Sequence, residues 1–138
     1  MAEPHPHPDA SPDPDPEMPD FTAVPLPPAW FHLLLALTGG ERHGYALMQE
    51  VAAESGGRVR LGPGTLYGAL KRLLQLDLVE ESGRRPDPAM DDERRRYYRL
   101  TPAGRRALRA EAVRHDWLVS LARAKHVLPP TSPRPRPA

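Results

Sequence analysis

The stretch from Leu61 to Glu80 carries the side chains best suited to binding phosphate groups. Gly62 and Pro63 predict a helix start, because the N–H that proline lacks would have no partner in a first helical turn. At about 100° per residue, one face of this helix is apolar, with Leu66, Leu70, Leu73 and Leu74. The opposite face and its edges are basic, polar or small: Gly64, Thr65, Tyr67, Gly68, Lys71, Arg72 and Gln75. Such a face is typical of a surface that approaches a phosphate backbone, or simply of a solvated helix.

Gly68 is an unusual choice on this face. A glycine inside a helix costs on the order of 1 kcal/mol relative to alanine. Either the missing side chain allows close approach to another surface, or the position is a neutral one in contact with solvent. The sequence leaves both readings open.

A second basic group follows in a predicted hairpin, with strands over 78–82 and 94–101 and a loop over 83–93. Its arginines lie at the strand ends: Arg84, Arg85, Arg94, Arg95 and Arg96. The loop tip holds Asp87, Asp91, Asp92 and Glu93, which would repel phosphates. We therefore expect the strand ends, rather than the tip, to approach a polyanion. In the second strand, alternation predicts that Tyr98 and Leu100 face inward.

Residues for catalysis or metal binding are sparse. The chain has no cysteine, no glycine-rich phosphate loop and no cluster of acid and base side chains, so an enzyme, a cofactor and a metal site are not expected. His5 and His7 lie in a proline-rich segment without other fixed ligands, and His115 and His126 are too far apart on one helix to share an ion.

Composition divides the 138 residues into four parts. Residues 1–28 hold ten of the 19 prolines, six acids and no Lys or Arg, and are expected to be a disordered acidic tail. Residues 29–101 are expected to form a mainly α domain with helices over 29–37, 43–54 and from about 63, followed by the hairpin. A helix over 102–128 and a second disordered tail over 129–138 complete the chain. Residues 29–128 have a net charge of +5, which suits a polyanionic partner, whereas the acidic tail could compete with it.

The last helix is expected to begin at Thr101-Pro102 and to run to about Leu128. It is too long for a domain of this size to cover, and it carries an apolar stripe of Ala110, Val113, Trp117, Leu121, Ala124 and Leu128. The stripe predicts a two-fold homodimer, although the helix around Trp30 could cover part of it. His115, Trp117 and Leu121 could line a pocket for a small aromatic or drug-like effector, or Trp117 could simply pack the dimer interface.

Three segments in order, HGYALMQEVAAESGG, LGPGTLYGALKRLLQLDLVE and RRRYYRLTPAGRRAL, resemble the phenolic acid decarboxylase regulator (PadR) family of winged-helix transcription factors. The resemblance covers residues 29–128, and the single last helix resembles the subgroup with a short C-terminal region. It implies a homodimeric repressor that binds double-stranded DNA at a pseudo-palindromic operator. The third helix would lie in the major groove through Thr65, Tyr67 and Lys71, with the hairpin arginines on the backbone. Asp77 replaces a family glycine, and we expect it to adopt the left-handed conformation.

An alternative is a winged-helix module that binds proteins without sequence-specific DNA recognition; the basic face of the third helix distinguishes the two. No signal peptide or membrane span is apparent, since the longest apolar run, 31–37, is short and contains His32. We expect a cytoplasmic protein.

Overall fold

The computed structural model describes residues 17–84 and 96–130. The chain forms α1 (Pro28–Ala36), a 3-10 turn (Leu37–Gly39), β1 (Arg42–His43), α2 (Gly44–Glu54), α3 (Pro63–Gln75), β2 (Val79–Arg84), β3 (Arg96–Leu100) and α4 (Pro102–Ala124). The expected fold class is confirmed: the described part is mainly helical with a small antiparallel sheet.

One core joins the first three helices to the sheet. Its fully buried leucines come from α1, α2 and α3, namely Leu33, Leu34, Leu47, Leu66, Leu70 and Leu73, together with Leu37 of the 3-10 turn. Val79 of β2 and Leu108 of α4 complete it from the other side. Because α3 buries one row of leucines in this core, its opposite face is held outward.

The sheet has three strands in the order β1-β3-β2, one more than the predicted hairpin. Arg42 pairs with Tyr98 and His43 with Tyr97, directly before α2 begins. In the hairpin, Val79 pairs with Leu100, and a bulge between Glu81 and Gly83 shifts the register. The inward positions of Tyr98 and Leu100 are confirmed, since they are 3% and 7% exposed. The hairpin loop over 85–95 lies outside the described residues.

The turn from α3 into β2 rests on Asp77, which has a φ of 59°. The N–H of Leu78 donates to the carbonyl of Leu73 at 2.9 Å, and that of Asp77 to the carbonyl of Leu74 at 3.0 Å. These two bonds form a Schellman motif, which needs a left-handed residue at this place. The expectation for Asp77 is confirmed.

α4 ends at Ala124, four residues before the expected end near Leu128. His126 takes a φ of 62°, and the N–H of Val127 donates to the carbonyl of Ala122 at 2.8 Å. This is again a Schellman motif, so the helix ends although the apolar pattern continues. Its beginning is as predicted: the Thr101 hydroxyl accepts a hydrogen bond from the N–H of Gly104 at 2.9 Å.

Residues 17–27, which composition assigned to a disordered tail, lie along α4; we call them the N-terminal strap. Arg114 of α4 donates to the carbonyl of Ala23 at 2.7 Å, and the N–H of Leu26 donates to the Glu111 carboxylate at 2.9 Å. The structure thus differs from the expected tail at these residues. None of the described helices is both long and apolar enough to cross a membrane.

Candidate nucleic-acid interface

The two faces of α3 are as the helical projection predicted. Leu66, Leu70 and Leu73 are at most 1% exposed. Leu74, placed with them, is only half-buried, because it lies at the edge of the apolar face. The outward residues are all exposed: Gly64, Thr65, Gly68, Lys71, Arg72 and Gln75. A helix fixed by one buried face and open on the other can enter a groove without rearrangement.

Tyr67 lies at the edge of this outward face and is half-buried. Its hydroxyl end lies against Gly44, where an added Cβ would come within 2.6 Å of the oxygen. The ring therefore packs on the first residue of α2, and Gly44 must stay small for this contact to form. This packing fixes α3 relative to α2, as the helix-turn-helix arrangement requires.

A hollow of about 480 Å³ lies between α3 and the hairpin. Gly68 and Lys71 line it from α3, and Glu81 and Arg96 line it from the strands. An added Cβ on Gly68 would meet no heavy atom within 4 Å, and the same holds for Gly64. No packing within the described protomer therefore requires a glycine at position 68.

Of the five arginines expected at the strand ends, Arg96 is the one whose side chain the structure describes. One of its terminal nitrogens lies 3.6 Å from the Glu81 carboxylate, and its Nε is buried with no hydrogen-bond partner among the described residues. The expected contacts of Arg94, Arg95 and the Arg84 side chain lie outside the described residues. Arg84 itself ends β2, with its Cα opposite that of Arg96.

Sequence reasoning missed Glu81, a carboxylate on the surface that was expected to meet phosphates. The cross-strand pattern holds the signal: Glu81 pairs with Tyr98, and Arg96 is its diagonal neighbour on the same face. Arg58 and Arg60, exposed in the link before α3, were also not assigned a role; the Nε of Arg60 donates to the carbonyl of Gly57 at 3.2 Å. Arg72 donates to the Gln75 side chain at 2.9 Å, which orients its guanidinium along the helix.

The three candidate effector residues lie on α4. His115 packs on Phe31 with ring centroids 4.9 Å apart, and its Nε2 is 3.6 Å from the Glu111 carboxylate. Trp117 is half-buried and Leu121 is 43% exposed. Within residues 17–84 and 96–130, no group of three or more histidine, aspartate or glutamate side chains could hold a metal ion.

Three helices, a following hairpin and an outward third-helix face define a winged-helix DNA-binding fold. The family model of the PadR-like transcriptional regulators matches residues 33–110, and the chain belongs to that family. The resemblance noted in the sequence is therefore confirmed.

Two relatives are similar in sequence to this chain. An uncharacterized 37.1 kDa protein in a transposon of Streptomyces fradiae is 45% identical over 80 residues, which cover 58% of this chain and 21% of the relative. The transcriptional regulator Rv3488 of Mycobacterium tuberculosis is 40% identical over 77 residues, 56% of this chain and 65% of the relative. The chain thus spans about a fifth and just under two thirds of these two relatives.

Solved structures share the fold. A PadR family transcription regulator from Clostridium difficile superposes with a TM-score of 0.57 at 21% identity, over 70% of this chain and 95% of that one. A PadR-like transcriptional regulator from Bacillus cereus superposes with a TM-score of 0.52 at 20% identity, over 74% of this chain and 92% of that one.

Proposed function

We propose that the protein is a homodimeric repressor of transcription that binds a pseudo-palindromic operator through α3. The observation that carries the proposal is the exposed face of α3, where Thr65, Gly68, Lys71 and Arg72 are open to solvent beside the hollow. The major groove of DNA admits an α-helix, and lysine and arginine bind both phosphates and guanine edges. Family membership supports the same role.

The proposed dimer forms through α4. With 23 residues at about 1.5 Å each, α4 is roughly 35 Å long. Its C-terminal half exposes Leu118, Val119 and Leu121, which are 52%, 37% and 43% accessible. Contiguous apolar side chains on a helix indicate a partner. The strap and α1 contact α4 at Arg114 and His115, and Leu118, Val119 and Leu121 beyond them stay exposed.

The test compares the two lysines of the chain. Lys71 lies on the outward face of α3, and Lys125 caps the far end of α4; both are exposed. The substitutions Lys71→Ala and Lys125→Ala therefore remove the same charge from the interface and from a site remote from it. DNA binding is measured by fluorescence anisotropy over a series of salt concentrations, on a duplex that the protein has selected from random sequences.

We expect Lys71→Ala to weaken binding and to lower the slope of log K against log salt by about 2, one phosphate contact in each half-site. Lys125→Ala should leave the slope unchanged. If both variants behave alike, Lys71 makes no phosphate contact in the duplex. If the unmodified protein shows no salt-dependent DNA binding, the protein-binding module is favoured instead.

Release by an aromatic or drug-like effector bound at the dimer interface is the second part of the proposal, and Trp117→Ala tests it. An unchanged dimer that no longer responds to inducer would support a pocket at Trp117. A monomeric variant in sedimentation would show that Trp117 packs the interface.

A further inference from the structure

Two acidic residues, Glu80 and Glu81, lie side by side in β2 on opposite faces of the hairpin. Glu80 is opposite Arg99, whereas Glu81 is opposite the buried Tyr98. Since successive side chains of a strand point to opposite faces, Glu81 shares the inner face with Tyr98, and Glu80 lies on the outer face. Among the described residues that line the hollow beside α3, Glu81 is the one acid. A negative charge therefore lies on the surface that would face phosphates.

Each acid has an arginine partner in β3, but the two pairs differ in geometry. On the outer face, the Nε of Arg99 donates to the Glu80 carboxylate at 2.7 Å, which is a direct, charge-assisted hydrogen bond. On the inner face, a terminal nitrogen of Arg96 lies 3.6 Å from the Glu81 carboxylate, too far for a hydrogen bond. The Nε of Arg96 is buried with no hydrogen-bond partner among the described residues. The inner pair is thus an electrostatic contact that leaves donors of Arg96 unused.

The register of the hairpin explains why the inner pair is open. The two residues of the outer pair are directly opposite each other, whereas Glu81 and Arg96 are diagonal neighbours. The bulge between Glu81 and Gly83 adds a residue on the β2 side, and the Cα directly opposite that of Arg96 belongs to Arg84. No acid is therefore directly opposite Arg96. The backbone places Glu81 where it attracts the guanidinium without a direct hydrogen bond.

We propose that Glu81 is a specificity-determining residue, which restrains Arg96 until a correctly placed phosphate replaces it. A phosphate can accept the paired hydrogen bonds from the Arg96 guanidinium that Glu81 does not accept. The Glu81 carboxylate also repels a phosphate that approaches without this alignment. Binding to unselected DNA is a sum of such phosphate contacts, so Glu81 weakens it more than it weakens binding to the selected duplex. This role rests on the proposed function, because it concerns how the surface beside α3 binds DNA.

The test is Glu81→Gln, with Glu80→Gln as its matched control, because each removes one negative charge from adjacent positions of β2. Fluorescence anisotropy over a series of salt concentrations compares the selected duplex with a scrambled duplex of the same length and composition. Glu81→Gln should bind the scrambled duplex about fivefold more tightly and steepen its salt slope by about 2, one added phosphate contact in each protomer. The selected duplex, where Arg96 already contacts phosphate, should keep its slope and change in affinity by less than about twofold. Glu80→Gln should leave the ratio of the two affinities unchanged.

Arg96→Gln establishes whether Glu81 acts through Arg96. In a chain that carries Arg96→Gln, the further change Glu81→Gln should leave the slope for the scrambled duplex unchanged. Three results would overturn the role of Glu81: no gain in affinity for the scrambled duplex in Glu81→Gln, an equal gain in Glu80→Gln, or a steeper slope that survives Arg96→Gln. Thermal unfolding accompanies each measurement. A Glu81→Gln variant that is less stable and loses affinity for both duplexes alike would show that Glu81 only stabilises the hairpin, which also refutes the role.

Failure of the proposed function would give a different result. If the unmodified protein binds neither duplex, the regulator and the role of Glu81 are both refuted. If it binds both duplexes with a slope that Lys71→Ala lowers, while Glu81→Gln leaves the ratio of the two affinities unchanged, only the role of Glu81 is refuted.

Discussion

Gly68→Ala should stabilise the protein and weaken its binding to DNA. Gly68 lies in the interior of α3, and an added Cβ there meets open space. The gain is therefore the full difference in helix propensity, about 0.8–1.0 kcal/mol. For a domain of this size, 1 kcal/mol raises the melting temperature by roughly 4–8 °C. Thermal and urea unfolding measure it.

The same methyl group would occupy the outward surface beside Lys71 and the hollow. If the DNA backbone approaches α3 closely there, the methyl overpacks the interface at a cost of about 1 kcal/mol or more, which is roughly a fivefold loss of affinity. Stability and DNA binding should thus change in opposite directions. Fluorescence anisotropy on the selected duplex measures the second effect.

Gly104→Ala is the matched contrast, because it makes the same change in another helix. A Cβ at Gly104 would collide with the carbonyl oxygen of Leu78, so this variant should be less stable by about 1–3 kcal/mol despite its better helix propensity. A destabilised Gly68→Ala variant would refute the assignment of open space at that position. A stabilised variant with unchanged DNA affinity would show that Gly68 is a neutral surface residue.

Three further predictions concern the elements that hold the domain together. Thr101→Ala removes the N-cap of α4 and should lower the free energy of unfolding by about 1–2 kcal/mol, measured in urea. Arg114→Ala leaves the buried Glu111 carboxylate without its cation, so it should lower the free energy of unfolding by roughly 3 kcal/mol and expose the strap to proteolysis. Arg109→Ala breaks an exposed pair with Glu17 and should lower the free energy of unfolding by less than about 1 kcal/mol. Burial, and then repulsion from Glu50, raises the pKa of Glu54 above its ordinary value of 4.5. The folded state holds the Glu54 proton more tightly than the unfolded state does. The resulting stabilisation is fully present below pH 4.5 and is lost as the pH rises from 4.5 through the raised pKa. Glu54→Gln should remove that part of the pH dependence of the free energy of unfolding, measured in urea.

The sequence predicted α3 well because its signals agree. Within twenty residues, the sequence places a proline in the first turn, a row of leucines and an Asp77 that ends the helix. The helical period alone predicts that Leu66, Leu70 and Leu73 are buried, as they are. β1 could not be found in this way. Its two residues, Arg42 and His43, are too few to show an alternation of apolar and polar side chains. They form a strand only because they pair with β3.

The strap illustrates a different limit. Proline-rich composition predicts a chain that cannot bury enough apolar surface to fold, and residues 17–27 form no helix or strand. They are held instead by partners about 85 to 94 residues away in sequence, through the ion pair of Glu111 and Arg114. A Glu and an Arg three apart on a helix are ordinarily a solvated pair. Only the tertiary structure shows that Glu111 is buried.

The connection between α3 and α4 explains how a change at the proposed dimer helix could reach the DNA. The Thr101 hydroxyl donates to the carbonyl of Asp77 at 2.6 Å, and the Thr101 N–H donates to the carbonyl of Leu78 at 3.2 Å. Gly104, without a side chain, lets the first turn of α4 lie directly on Leu78. Because the end of α3 and the start of α4 share these contacts, they should move as one unit. A rotation of α4 against its partner would then change the separation of the two α3 helices, and affinity for a site with fixed half-site spacing would change with it.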